Sequence, residues 1–280
     1  MSGAIRAELL MLRRRVSTWV LLGIWCVAAG LFAYVLPYSD YRGGVESFAG
    51  QPPALASLLP DRFPGTALGG YPFFGGVLVL ILGVMTMGGE YGWGTLKTVL
   101  SQHPSRGRAL GAKLVALGAV LCVFVLASFV ISAVASALIA SAEGADAGWP
   151  GPAAIGKAML GAWLIFAVWT ALGVALAILT RGTSLAIGVG ILYGLVLEGL
   201  AEALLRQVDA LEPLVQGLLR GNAYSLAAAL GMAQADASGN GPGSYGGPFV
   251  GGLQSTVVLL GLAAAFVAVS AAVLTRRDVT

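Results

Sequence analysis

Glu90-Tyr-Gly-Trp-Gly-Thr-Leu-Lys97 follows an apolar run, Leu68–Met87, and opens a basic stretch that reaches Lys113. The run matches the roughly 20 apolar residues that a helix needs to cross a bilayer. The next apolar run begins at Leu114. The chain therefore leaves a membrane at Met87, passes among Lys97, Arg106, Arg108 and Lys113, and re-enters at once. Between the two runs, Leu96, Val99 and Leu100 fall at i, i+3, i+4 spacing, which predicts a short amphipathic helix. Such a helix, held between two spans on the positive side of a membrane, suits docking to a cytoplasmic partner.

Composition points the same way. The chain is 58% hydrophobic and 10% charged, where a soluble domain is about 25% charged. Its 41 glycines favour close packing of transmembrane helices. A pI near 9.0 raises nucleic acid as a partner, but the cations gather at span ends on one side, so none is expected. Cys26 and Cys122 both fall inside expected spans and read as buried small apolar thiols without a disulfide. His103 has no neighbours at metal-ligand spacing, so no metal site is expected.

Six spans follow from apolar length: Val16–Leu36, Leu68–Met87, Leu114–Ala140, Ala158–Thr180, Thr183–Leu205 and Gly252–Thr275. The first is too long for a signal-peptide core. Upstream, Ile5, Leu9, Leu12 and Val16 share one helical face beside Arg6 and Arg13, which predicts an interfacial helix over 2–15. Two outer segments are long, 37–67 and 206–251. Within the second, Leu211, Leu214, Val215, Leu218 and Leu219 are helically spaced and predict short re-entrant helices before the last span. The glycine-rich 239–248 stretch reads as loop. The expected fold is thus an all-α integral membrane protein, one transmembrane domain over 1–280. No internal repeat of the secondary-transporter kind stands out.

Basic residues set the orientation. With the N-terminus inside, eleven of the sixteen Lys and Arg lie inside: Arg6, Arg13, Arg14, Arg15, Lys97, Arg106, Arg108, Lys113, Arg181, Arg276 and Arg277. Arg42, Arg62, Lys157, Arg206 and Arg220 lie outside. Both termini are expected in the cytoplasm.

Catalytic motifs are missing. There is no phosphate loop, no His-Glu-x-x-His helix and no nucleophile elbow, so the chain does not read as an enzyme. Glu198 is the carboxylate set well inside an expected span, followed by Glu202 and Arg206 on the same face. It either snorkels outward with the Glu202–Arg206 pair or lines a substrate exit. Ser128, Ser132 and Ser136 form a polar stripe, read as interhelical hydrogen bonds or as part of the path. Tyr193 is a further candidate for the path. Gly190-Ile-Leu-Tyr-Gly194 is a small-xxx-small motif and a candidate dimer contact.

The segment Gly89-Glu-Tyr-Gly-Trp-Gly-Thr-Leu-Lys-Thr-Val-Leu-Ser-Gln-His-Pro-Ser-Arg106, with Lys113 beyond it, closely resembles permease subunits of bacterial ABC exporters of the type-two, G-like class. Glu90, Gly94, Thr95, Leu96, Lys97, Pro104, Arg106 and Lys113 fit that pattern. The resemblance implies two six-span subunits paired around a pathway, as a homodimer or heterodimer in the bacterial cytoplasmic membrane. It implies separate cytoplasmic ATPase subunits holding ATP and Mg, with no cofactor in this chain. Residues 89–105 would be the coupling helix. Glu90, Gly94, Thr95, Leu96, Lys97, Val99, Leu100, Pro104 and Arg106 would then meet the ATPase. Drug-like, peptide or lipid-like substrates would move outward, as in multidrug or antibiotic efflux. The competing readings are an ATPase-independent immunity-type protein or small membrane enzyme, and an ion-coupled transporter.

The charge asymmetry makes a direct prediction. In intact cells a cysteine at Ser244 reacts with an impermeant thiol reagent and one at Ser105 does not. The opposite labelling pattern overturns the orientation.

Overall fold

The structure, a computed structural model, describes residues 2–44, 55–92, 106–146, 148–205, 212–233, 245 and 249–276. Among these residues all regular structure is helical. Helices suit a chain in lipid because they satisfy their backbone polar groups internally. The elements are α1 (Ser2–Arg14), α2 (Val16–Gly43), α3 (Phe63–Leu68), α4 (Gly76–Gly92), α5 (Arg106–Glu143) and α6 (Pro152–Thr180). They continue as α7 (Ser184–Leu192), α8 (Glu198–Leu205), α9 (Glu212–Val215), α10 (Leu219–Ala229) and α11 (Gly252–Arg276).

Five stretches are long and apolar enough to cross a membrane: Val16–Gly43, Phe63–Tyr91, Arg106–Glu143, Pro152–Thr180 and Gly252–Arg276. They make this an all-α membrane protein. The segment expected as the fifth span is helical through α7, a π turn over Tyr193–Leu197 and α8. It is not among the five, and it carries Glu198 and Glu202. Expected boundaries shift most at α5, which starts at Arg106 rather than Leu114. Its 38 residues span about 57 Å at ~1.5 Å per residue, well beyond a bilayer core of roughly 30 Å. The first turns of α5 therefore reach past the core and carry Lys113.

Helix α6 is the centre of the bundle. Of its most apolar window 78% is buried, against 22% for α2 and 17% for α11. Proline shapes the other helices. Two π turns, Leu31–Val35 and Tyr71–Gly75, lie next to Pro37 and around Pro72. A proline inside a helix removes one backbone donor and collides with the carbonyl four residues back, so the turn widens. Trp169 of α6 donates Nε1–H to the Pro72 carbonyl at 3.1 Å and so ties α6 to this π turn.

The core between these helices is aromatic. Tyr71 stacks on Phe166 with centroids 4.4 Å apart, and Trp25 meets both edge-on at 5.0 and 5.3 Å. The Tyr71 hydroxyl pairs with Ser128 of α5. At the far end of α5, Glu143 accepts from Tyr38 at 2.7 Å and from Arg42 at 2.8 Å. The Tyr38 hydroxyl, and then Arg42, hold the Glu143 carboxyl below its ordinary range.

The cysteine expectation holds in one respect only. Both cysteines are free, but Cys122 is exposed and Cys26 only half-buried. In a lipid-facing position an apolar thiol needs no burial by protein.

Glycine sets how closely α4 and α6 approach. A Cβ at Gly173 would overlap the Leu80 carbonyl, and one at Gly83 would lie 2.5 Å from the Thr170 carbonyl oxygen. Backbone therefore meets backbone in both directions. The small-xxx-small motif of α7, expected as a dimer contact, is used in the same way within the chain. A Cβ at Gly190 would lie 2.6 Å from Leu80, and one at Gly194 would lie 3.2 Å from Trp169. Both glycines are buried against their own chain.

Gly173→Ala should destabilise the bundle by about 1–3 kcal/mol, the usual cost of overpacking a core. Gly188→Ala should be silent, because nothing lies within 4 Å of a Cβ there. Thermal unfolding of the two variants in detergent checks the difference.

Candidate functional site

A buried ionic cluster lies where α1, α4 and α5 converge. Lys113 of α5 donates from Nζ to Glu90 Oε1 at 2.6 Å. It also donates to Glu8 Oε2 and Oε1 at 2.9 and 3.1 Å. All three residues are buried. Two carboxylates on one ammonium leave a net negative charge, and Arg15 lies close by. Its guanidinium packs against Gly89 and donates to the Met85 carbonyl at 3.0 Å. Arg106, at the start of α5, donates to the Leu274 carbonyl at 2.9 Å. That carbonyl belongs to the last turn of α11, where carbonyls lack partners within the helix.

Glu90 stands in a different place from the expected one. It was expected at the N-terminal end of an amphipathic helix, where the dipole favours a carboxylate. It lies instead in the last turn of α4, buried. The C-terminal end of a helix disfavours negative charge, and Lys113 offsets this. A carboxylate spent on Lys113 is not offered to a second protein at the surface. Arg106 is likewise engaged with α11. The other expected partner contacts, Gly94, Thr95, Leu96, Lys97, Val99, Leu100 and Pro104, lie outside the described residues. The cluster brackets them: α4 delivers the chain into residues 93–105 two residues after Glu90, and α5 receives it seven residues before Lys113.

A second cluster joins α8 to α10. Glu198 Oε1 accepts the backbone N–H of Arg220 at 2.5 Å. Arg220 is the second residue of α10, so Glu198 caps that helix from another segment. The Arg220 side chain donates to Glu202 Oε2 at 3.3 Å. Glu198 is 1% exposed, so it does not snorkel. Arg206, its expected helper, lies outside the described residues. Tyr193 interacts with Glu198 from one turn away.

The four candidates for a substrate path are thus drawn into packing within the chain. Ser128 is held by Tyr71 and by the Val125 carbonyl. Ser132 is fully buried beside Tyr34. Ser136 donates to the Ala133 carbonyl of its own helix at 3.0 Å.

Three residues were missed in the sequence: Glu8, Arg15 and Arg220. Glu8 carried a signal, being an acid among the apolar positions of an otherwise basic helix. Arg220 carried one too, because Glu198 and Glu202 at i, i+4 repel and call for a cation.

The family model described as ABC-2 family transporter protein matches residues 5–279. The chain therefore belongs to the ABC-2 family, as the 89–113 motif implied. It is a transport component rather than a catalyst. No curated protein matches it.

Lys113→Met removes the one cation between two buried carboxylates. It should cost about 3–5 kcal/mol, as breaking a buried pair does, with Glu8→Gln restoring part of the loss. A Lys113→Met variant as stable in detergent as the parent would show the cluster to be energetically idle.

Proposed function

We propose that this ABC-2 family chain is the permease of an ATP-driven exporter in the cytoplasmic membrane of a bacterium. It would move a drug-like, peptide or lipid-like substrate outward. The chain works as a single transmembrane domain of six spans, Thr183–Leu205 included, with both termini in the cytoplasm. It pairs with a second permease subunit, and ATP and Mg are held by separate ATPase subunits below. Residues 93–105 form the coupling segment, presenting Leu96, Val99 and Leu100 to a groove on the ATPase. Glu198 and Tyr193, at the α8–α10 contact, would govern exit.

The observation that carries this reading is the Glu8–Lys113–Glu90 cluster. A segment that receives a mechanical stroke needs a rigid base, and residues 93–105 hang from two helices locked together by a buried ion pair. A push on the segment then moves α4 and α5 together. Through Glu8 it also moves α1. Arg106 extends the connection to α11. Glu90 acts in this scheme by holding the segment, not by touching the ATPase.

Leu96→Asp with Leu100→Asp places two charges in the expected apolar contact, where an unpaired buried charge is strongly unfavourable. The double variant should insert and fold but no longer retain its ATPase or stimulate ATP hydrolysis. Normal co-purification and transport by this variant would remove the coupling role from the segment.

A further inference from the structure

Helix α1 has two unlike faces, and the ionic cluster is the reason. Glu8 is the acid of this helix, and it is turned inward onto Lys113 at 2.9 Å. Leu12 is buried beside it. The opposite face carries Arg6, Arg13 and Arg14, all exposed, around Leu10 at 52% exposure. With Glu8 withdrawn, that face holds three cations and no anion. Among the described residues none of the three arginines pairs with an acid.

The position of this face relative to the membrane is set by α2. One residue, Arg15, separates the two helices. The first turns of α2 expose Val16 and Trp19 at 76% and 53%. The Trp19 indole donates to the Arg13 carbonyl at 2.7 Å, joining the end of α1 to the lipid-facing side of the span. Tryptophan favours the depth of the headgroups. Arg13 and Arg14 therefore sit at headgroup level, with Leu10 beside them to enter the acyl boundary.

We infer that the outward face of α1, formed by Arg6, Leu10, Arg13 and Arg14, is a binding surface for anionic phospholipid headgroups. Guanidinium groups bind phosphate oxygens in pairs of hydrogen bonds, and each basic residue near an anionic surface favours the contact by a factor of about five. A zwitterionic leaflet lacks the net charge to match three unpaired arginines. The same helix is tied through Glu8 to the base of the 93–105 segment, so lipid charge acts on an element that the segment must carry with it.

Trp19 supplies the probe. The purified chain is reconstituted into vesicles of equal parts phosphatidylglycerol and phosphatidylcholine, with bromine on the acyl chains of one lipid or the other. The difference between the parent and Trp19→Phe isolates the Trp19 signal. Brominated phosphatidylglycerol should quench it more strongly than brominated phosphatidylcholine. That preference should disappear in Arg6→Gln/Arg13→Gln/Arg14→Gln, and in the parent it should fall as salt is raised. Equal quenching by the two lipids overturns the inference, and so does a preference that survives both the substitutions and the salt. A label at Arg13→Cys that is shielded by added ATPase and not by anionic lipid would assign the face to the protein partner instead. The lipid readout needs neither ATP nor a partner, so it stands or falls apart from the exporter reading.

Discussion

One ammonium group fixes the end of the bundle at which the basic residues collect. Lys113 draws Glu8 from α1 and Glu90 from α4 onto α5. Lipid tails give apolar helix faces no reason to prefer each other over lipid. Buried charges do have a reason, because each alone is costly in a medium of low dielectric. The three helices are therefore held by mutual neutralisation in addition to the apolar contacts of Leu12, Met87 and Leu110. The same constraint turns Glu90 away from the surface and leaves α1 with a purely cationic outer face.

Deeper in the membrane the means change. There α4 and α6 meet through backbone, at Gly83 against Thr170 and Gly173 against Leu80. Aromatic rings fill the remaining space around Tyr71. Close backbone approach brings many dispersion contacts that a lipid chain cannot match. The bundle thus has a tightly packed centre on α6 and loosely covered flanks on α2 and α11.

The sequence showed the fold class clearly because lipid imposes one rule on every span, a long apolar run with basic residues gathered at one side. Charged residues were harder to place. Glu90 was read as the start of the 89–105 helix because the apolar run ends at Met87, yet α4 continues to Gly92. Glu8 was overshadowed by the arginines of its helix, and its partner lies 105 residues away. Glu198 was recognised as an unusual residue for its depth. Its use as a cap depends on α10 folding back onto α8, and no local pattern encodes that. The glycines of α7 matched a familiar dimer motif, but the pattern states only that something packs close. Leu80 and Trp169 of the same chain fill that space.

The cap on α10 has a consequence for how the chain is made. Glu198 leaves the ribosome before Arg220, the residue whose backbone it satisfies. Until α10 is made, the Glu198 carboxylate has no helix end to receive it. Helix α10 then arrives with an uncovered N-terminus and a guanidinium, and both are met by groups already in place on α8. Helix α10 thus settles onto the bundle after α8. Truncation of the chain before residue 220 would leave α8 as the segment most easily returned to the insertion machinery.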